Sequence, residues 1–348
     1  MSEAVHRSRT GNPELDQLLR DILTATGAKA DRDQLNEILT TAVLLAGDGA
    51  DRLNLKITSA ALKEMRAAFL LFAPFVGIPK VTIFGSARTR ADDPLYRQTR
   101  DLAATLAGAG WMVVTGAGPG IMAAGAEGAG PEHSLGVSIR LPFEPASTVV
   151  AGDMRVTMKY FFTRKLMLLK ESSAFVAVPG GFGTLDEVFE LLTLVQTGKS
   201  EPAPIVLLDV PGGTYWRAWD RFLREELAGR GMVSPDDEAL YRISDEVTDA
   251  TAEIMGFFAN YHSLRYVGDR LVIRLRSLPS PADLAGINRE FGSICTTGGI
   301  EPIDALPEEL AGGDHPELPR LALNFDRASH GRLRSLIDAL NRLPGDSL

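Results

Sequence analysis

The spacing of apolar residues changes twice along the chain. From Pro13 to about Phe75 they recur every three or four positions: Leu15, Leu18, Leu19 and Ile22, then Leu35, Ile38, Leu39 and Val43. Residues at that spacing share one face of a helix, so both stretches predict amphipathic helices. A third helix is predicted over Ala60–Phe72, stopping short of Pro74, because the residue before a proline is pushed out of the helical region.

From Lys80 to about Ile254 the texture becomes short apolar runs alternating with longer periodic segments. VTIFG (Val81–Gly85), WMVVTG (Trp111–Gly116), LGVSIRLP (Leu135–Pro142), AFVAVPGG (Ala174–Gly181) and APIVLLD (Ala203–Asp209) read as strands. Leu95–Ala109, Met158–Lys170 and Leu185–Thr197 read as helices. Strands apolar on both faces and separated by helices predict an α/β fold, a Rossmann-like parallel sheet with helices on both faces. Beyond about Tyr261, LRYVGDRLVIRL predicts a hairpin turning at Gly268-Asp269. A helix near Ala282–Phe291, a strand at Leu321–Phe325 and a helix over Arg332–Leu343 complete a small α+β C-terminal module. The expected division is a helical N-terminal extension at 1–77, a nucleotide-binding and catalytic domain at 78–258 and the small module at 259–348.

Bulk composition narrows the function classes. Of 348 residues, 45% are hydrophobic and 23% charged, ordinary for a globular protein. A net charge of −9 and a pI near 5.2 argue against a broad footprint for duplex nucleic acid. An aromatic share of 7% argues against a stacking platform for single strands, so no nucleic-acid partner is expected. The single cysteine, Cys295, excludes an internal disulfide and is read as a structural thiol. MSEAVHRSRTGNPELDQ lacks the apolar segment of a secretory leader, and the Ala67–Val76 run, broken by Pro74, is too short to cross a bilayer. A cytoplasmic protein without membrane association is expected. The histidines, at 6, 133, 262, 315 and 330, fall at no ligand spacing; neither a metal nor a cofactor is expected, and His133 reads as a loop residue.

Ligands of open α/β sheets sit beyond the carboxyl ends of the strands. Three predicted strands end in glycine-rich sequences there: FGSAR (Phe84–Arg88), TGAGPGIM (Thr115–Met122) and PGGFGT (Pro179–Thr184). Unobstructed N–H groups at a helix start attract phosphate. Gly85, Ser86, Gly116, Gly118, Gly120, Gly180, Gly181, Gly183 and Thr184 are therefore candidate binding residues. One such cluster is as readily a tight turn; three at one sheet edge favour a nucleotide or sugar phosphate. Two familiar motifs are excluded. GAGPG has Ile121 where G-x-G-x-x-G needs its third glycine, and TGKS (Thr197–Ser200) has Thr193 where a P-loop needs glycine. The latter reads as a loop with a solvated Lys199.

Thr184 and Glu187 stand at the S/T-x-x-E spacing of a capping box, which would turn both onto the amides of their own helix. Alternatively Glu187, off the predicted buried stripe of Leu185, Val188, Leu192 and Val195, faces the glycine loop. Upstream, Arg164-Lys165 lies between Phe161-Phe162 and Leu166-Met167, a costly place for charge unless something anionic is near. Spacing alone leaves both readings open.

TRK (Thr163–Lys165) together with PGGFGTLDE (Pro179–Glu187), and with GSAR and TGAGPGIMAAG upstream, resembles the LOG family. Its members are cytokinin-activating phosphoribohydrolases and related bacterial nucleotide nucleosidases, often mislabelled lysine decarboxylases. The likeness covers about residues 78–255, and the flanks resemble a longer bacterial subgroup. It implies hydrolysis of the N-glycosidic bond of a nucleoside 5′-monophosphate such as AMP, giving free base and ribose 5-phosphate. It further implies Arg164 and Glu187 as the catalytic pair, Lys165 and the glycine loops on the substrate, and a homodimer or higher homo-oligomer. On that reading a carboxylate at Glu187 meets the positive charge that develops on the ribose, and Arg164 lowers its pKa and keeps it ionised. The sequence departs from many relatives at Ala123, where an acidic residue is common, and at Ala117, which replaces a common glycine. The alternative is a non-catalytic binder resembling molybdenum-cofactor carriers. A decarboxylase would need a Schiff-base lysine, for which Lys165 is the sole candidate and has no other support.

Overall fold

A computed structural model describes residues 9–141 and 149–343; His6 and the predicted strand end at Pro142 lie outside them. The chain clusters into two units, Met1–Arg66 and Ala67–Leu348. In the first, α1 (Pro13–Ala25) and α2 (Arg32–Gly47) pack together. Asn12 caps α1, its side chain accepting from the Glu14 and Leu15 amides, with Pro13 at the first helical position. The next helix, α3 (Arg52–Phe72), starts earlier than the apolar spacing predicted. The reason is local: the Asp51 carboxylate accepts the Asn54 N–H at 2.8 Å and opens the helix there.

The second unit contains both sheets. The larger has seven parallel strands: β1 (Lys80–Phe84), β2 (Met112–Thr115), β3 (Ser134–Ile139), β4 (Arg155–Met158), β5 (Ala174–Ala177), β6 (Ile205–Leu208) and β7 (Arg242–Ser244). Their spatial order is β4-β3-β2-β1-β5-β6-β7. The chain steps outward from β1 to β4, then crosses back to the other side of β1 and continues to β7. The order thus reverses between β1 and β5, which is where an open sheet of this kind leaves a crevice at its carboxyl edge. The expected α/β parallel-sheet fold is the one observed. Two of its strands, β4 and β7, escaped the sequence reading. Both are short edge strands, RVTM and RIS, with partly exposed side chains, so neither carries the apolar run that marks a strand buried on both faces.

Helices α4 (Pro94–Gly108) and α5 (Ile121–Ala129) cross closely beside β1 and β2. The sequence of α5, IMAAGAEGA, is two-thirds alanine and glycine, and its Gly128 lies so near α4 that a Cβ there would fall 2.0 Å from the Arg100 carbonyl oxygen. This tight crossing places the start of α5, and with it the second glycine loop. Further along follow α6 (Phe161–Lys170), α7 (Phe182–Gln196), α8 (Tyr215–Phe222, running on as a π-helical turn over Leu223–Ala228) and α9 (Val247–Gly256). The second sheet has four antiparallel strands. The predicted hairpin is β8 (Tyr261–Val267) and β9 (Arg270–Leu275), followed by α10 (Pro281–Phe291), β10 (Cys295–Ile303), α11 (Pro307–Gly312), β11 (Arg320–Phe325) and α12 (His330–Arg342). β10 went unrecognised because it holds Gly298, Gly299 and Pro302 and pairs with β11 through two register breaks, the signature of a bulged strand rather than an alternating one. Among the described residues, no helix is long and apolar enough to cross a membrane.

Gly128→Ala is expected to destabilise the protein by about 1–3 kcal/mol, because the added methyl meets backbone that cannot swing aside. Chemical denaturation followed by circular dichroism reads the change, and an unaltered midpoint would contradict the close crossing.

Candidate active site

The three glycine loops leave adjacent strands, β2, β1 and β5, at the same edge of the sheet. The glycines there divide into two kinds. Most are small because a neighbour occupies the space a side chain would need. A Cβ on Gly116 would fall 2.1 Å from the Arg164 guanidinium, one on Gly180 2.2 Å from Thr184 Oγ1, and one on Gly85 or Gly118 2.5 Å from the Ile121 or Met122 side chain. Gly120, at φ +67, presses on the Ser86 carbonyl, which in turn accepts the Ile121 N–H at 3.0 Å; the Ser86 hydroxyl accepts the Arg88 N–H. The first and second loops are thereby locked together. Gly181 and Gly183 differ, with no atom within 4 Å of the place a Cβ would take; together with Phe182, which is 95% exposed, they open α7 onto free space. Ala117 sits at φ +51, a backbone state that costs alanine about 1 kcal/mol, buried with its methyl against Gly136.

Arg164 and Glu187 are brought together from α6 and α7. Arg164 Nε donates to the Val137 carbonyl of β3 at 2.9 Å, and Nη1 donates to Glu187 Oε1 at 3.2 Å. Both side chains are nearly buried, 10% and 12% exposed. The capping-box alternative is therefore not what forms. α7 begins at Phe182 after Gly181, without a side-chain cap, so Thr184 lies inside the first turn and is buried over Gly180. The buried stripe of the helix is Thr184, Val188, Leu191 and Val195, turned from the predicted Leu185 and Leu192. Lys165, expected on the substrate, is paired with Asp186 at 3.1 Å and Glu190 at 2.6 Å. These partners supply the negative charge that the apolar setting of Arg164-Lys165 required, and they tie α6 to α7.

Burial pushes the Glu187 carboxyl up to about 7, with Arg164 opposing and Asp186 adding to the rise. This corrects the expectation that Arg164 lowers the Glu187 pKa and so keeps it ionised: removing the carboxylate from water outweighs one neighbouring cation. Tyr215 was missed from the sequence, since it belongs to no motif. Its hydroxyl donates to the Gly180 carbonyl at 2.7 Å, and its own N–H is accepted by Asp209 at 3.1 Å. The available signal was Asp209, a carboxylate closing a strand at the ligand edge. Ala123, where relatives often carry an acid, is buried with Tyr96 and Ala124 between α4 and α5. TGKS is the end of α7, with Gly198 at φ +66 and the Lys199 and Ser200 amides donating to the Leu194 carbonyl. Among the described residues, no group of three or more His, Cys, Asp or Glu is placed to hold a metal.

The raised pKa has a definite sign in stability. Between pH 4.5, the ordinary value, and about 7 the folded protein holds a proton on Glu187 that the unfolded chain has lost, so stability falls as pH rises through that window. The full loss is about 3 kcal/mol. Glu187→Gln removes it, so the melting temperature of the variant should gain on the parent between pH 5 and pH 8 in calorimetric scans; a constant difference would show that Glu187 titrates normally.

A family profile described as "Possible lysine decarboxylase" matches residues 119–254. A cytokinin riboside 5′-monophosphate phosphoribohydrolase of Mycobacterium tuberculosis is 32% identical over 170 residues, covering 46% of this chain and 87% of that protein. An Arabidopsis thaliana protein of the same name is 33% identical over 108 residues, or 30% of this chain and 47% of that one; the chain spans about half the length of this plant relative. Among solved structures, a molybdenum cofactor carrier protein from Chlamydomonas reinhardtii aligns at 23% identity and a TM-score of 0.37, over 51% of this chain and 96% of that one. Since nearly the whole mycobacterial protein finds its counterpart here, this chain belongs to the LOG family.

Proposed function

We propose that the protein hydrolyses the N-glycosidic bond of a nucleoside 5′-monophosphate, with AMP as the first candidate, to free base and ribose 5-phosphate. The observation that carries this reading is the buried Arg164–Glu187 pair standing beside an open glycine loop at the switch point of the sheet. The relatives' names point to the same reaction class. The amides of 181–184 grip the 5′-phosphate at the start of α7, where unpaired N–H groups and the helix dipole both favour an anion. One ribose length away, Glu187 lies against the sugar. Bond cleavage leaves an oxocarbenium-like ribose, and a carboxylate there stabilises the transition state more than the ground state. Arg164, fixed by the Val137 carbonyl and by Gly116, orients that carboxylate. The other loop residues, Gly85, Ser86, Gly118 and Gly120, shape the floor of the crevice, and Lys165 holds α6 against α7.

Incubation with a panel of nucleoside monophosphates, followed by chromatography of free base, tests the reaction. Glu187→Gln should bind nucleotide and lower kcat by about 100-fold or more; a variant that turns over like the parent removes Glu187 from the chemistry. Tight binding of a monophosphate without cleavage would replace the enzyme by the binder reading. With the carboxylate as the active form, kcat should climb with pH through about 7. A profile flat from pH 5 to 8 would oppose it.

We also propose a homodimer joined through this region. Phe161, Phe162, Leu166 and Phe182 are 54%, 53%, 46% and 95% exposed on the two helices that carry the pair, an unusual concentration of apolar surface for a free face. Light scattering should give twice the chain mass, and Phe162→Glu with Leu166→Glu should reduce it to one chain.

A further inference from the structure

We infer that Tyr215 is a positioning residue that aims the phosphate grip, through the Gly180–Gly181 peptide. The inference rests on the function proposed above and adds a residue that no motif marks. Across a trans peptide the carbonyl and the following N–H point in opposite directions in one plane. The Tyr215 hydroxyl donates to the Gly180 oxygen at 2.7 Å, so it holds that plane from one side and directs the Gly181 N–H to the other. That amide lies just ahead of α7, and among the described residues no acceptor meets it. Gly181 itself has open space where a side chain would stand, so no protein atom crowds that side of the loop.

The plane needs such a brace. Two successive glycines have the least conformational restriction of any residues, and an unbraced Gly-Gly peptide would sample several orientations. Thr184 packs against Gly180 but is placed against its Cα side, where it limits approach rather than fixing the carbonyl. The hydrogen bond from Tyr215 does fix it, and by drawing electron density toward the oxygen it makes the Gly181 N–H a stronger donor. Tyr215 is itself anchored. Asp209, closing β6, accepts the Val210 N–H at 2.9 Å and the Tyr215 N–H at 3.1 Å. Gly213 passes so near the same carboxylate that a Cβ would fall 2.2 Å from it. The 210–214 loop is thus wrapped around Asp209 and delivers the phenol to the glycine loop. Burial also raises the Tyr215 pKa, so at neutral pH the hydroxyl keeps the proton it donates.

A residue that aims the grip acts on the phosphate and not on the bond being broken. Tyr215→Phe should therefore weaken ribose 5-phosphate binding about tenfold by calorimetry. It should raise KM for AMP by a similar factor and leave kcat within about twofold. Unchanged affinity for ribose 5-phosphate, or a kcat that falls as far as kcat/KM, would overturn the inference. If Tyr215→Phe loses its cooperative melt, Asp209→Asn is measured in its place with the same expectation; loss of folding in both would overturn it by making the contact part of the fold alone. The two readings fail separately. A parent protein that binds ribose 5-phosphate yet cleaves no monophosphate sinks the proposed reaction while the binding comparison still reads Tyr215. A parent that cleaves AMP, beside a Tyr215→Phe variant of unchanged affinity, sinks only the inference.

Discussion

Keeping Arg164 and Glu187 together and nearly out of water is the constraint around which the rest of this region is arranged. An unpaired charge at either position would be expensive to bury, so each element nearby contributes to satisfying the pair. β3 offers the Val137 carbonyl to Nε, and β2 ends in Gly116 because the guanidinium occupies the place of a side chain. Outside the pair, Lys165 with Asp186 and Glu190 clamps the two helices that carry it. Stability is given up for this arrangement, as the raised Glu187 pKa records. A carboxyl held near 7 can change protonation around neutral pH, the property that acid–base and electrostatic catalysis both use.

The topology of the sheet does the assembling. Glycine loops separated by tens of residues in sequence become neighbours because β2, β1 and β5 are adjacent, and the strand order reverses between β1 and β5, the place where sheets of this kind take their ligands. Close packing does the rest. Small residues in α5 allow it to approach α4, and that approach sets Gly120 on the Ser86 carbonyl. The same glycines that look alike in a motif thus perform different work: those of the first two loops make room for protein atoms, and Gly181 and Gly183 leave room for something else.

The interior strands were legible because burial on both faces forces a continuous apolar run, and the amphipathic helices because one face must be dry. What was illegible fails those conditions. β4 and β7 lie at the edges, β10 is bulged and glycine-rich, and α3 starts from a cap at Asp51 that lies outside its apolar stripe. The candidate site was legible as segments rather than as geometry. Arg164-Lys165 in an apolar setting announced that negative charge must be near, yet whether that charge was a ligand or a protein carboxylate was not readable from one segment.

By itself the sequence determined the α/β class, the glycine-rich strand ends and the need for negative charge near Arg164-Lys165, since these follow from local periodicity and from the cost of burying charge. Only the tertiary structure decided that Glu187 turns to Arg164 and not to its own helix end, and that Lys165 is held by Asp186 and Glu190. It likewise decided that burial overrides Arg164 in setting the Glu187 pKa, and that Tyr215 reaches Gly180. Each of these depends on distances between segments far apart in the chain, and on how much water is left between them, neither of which any local pattern encodes.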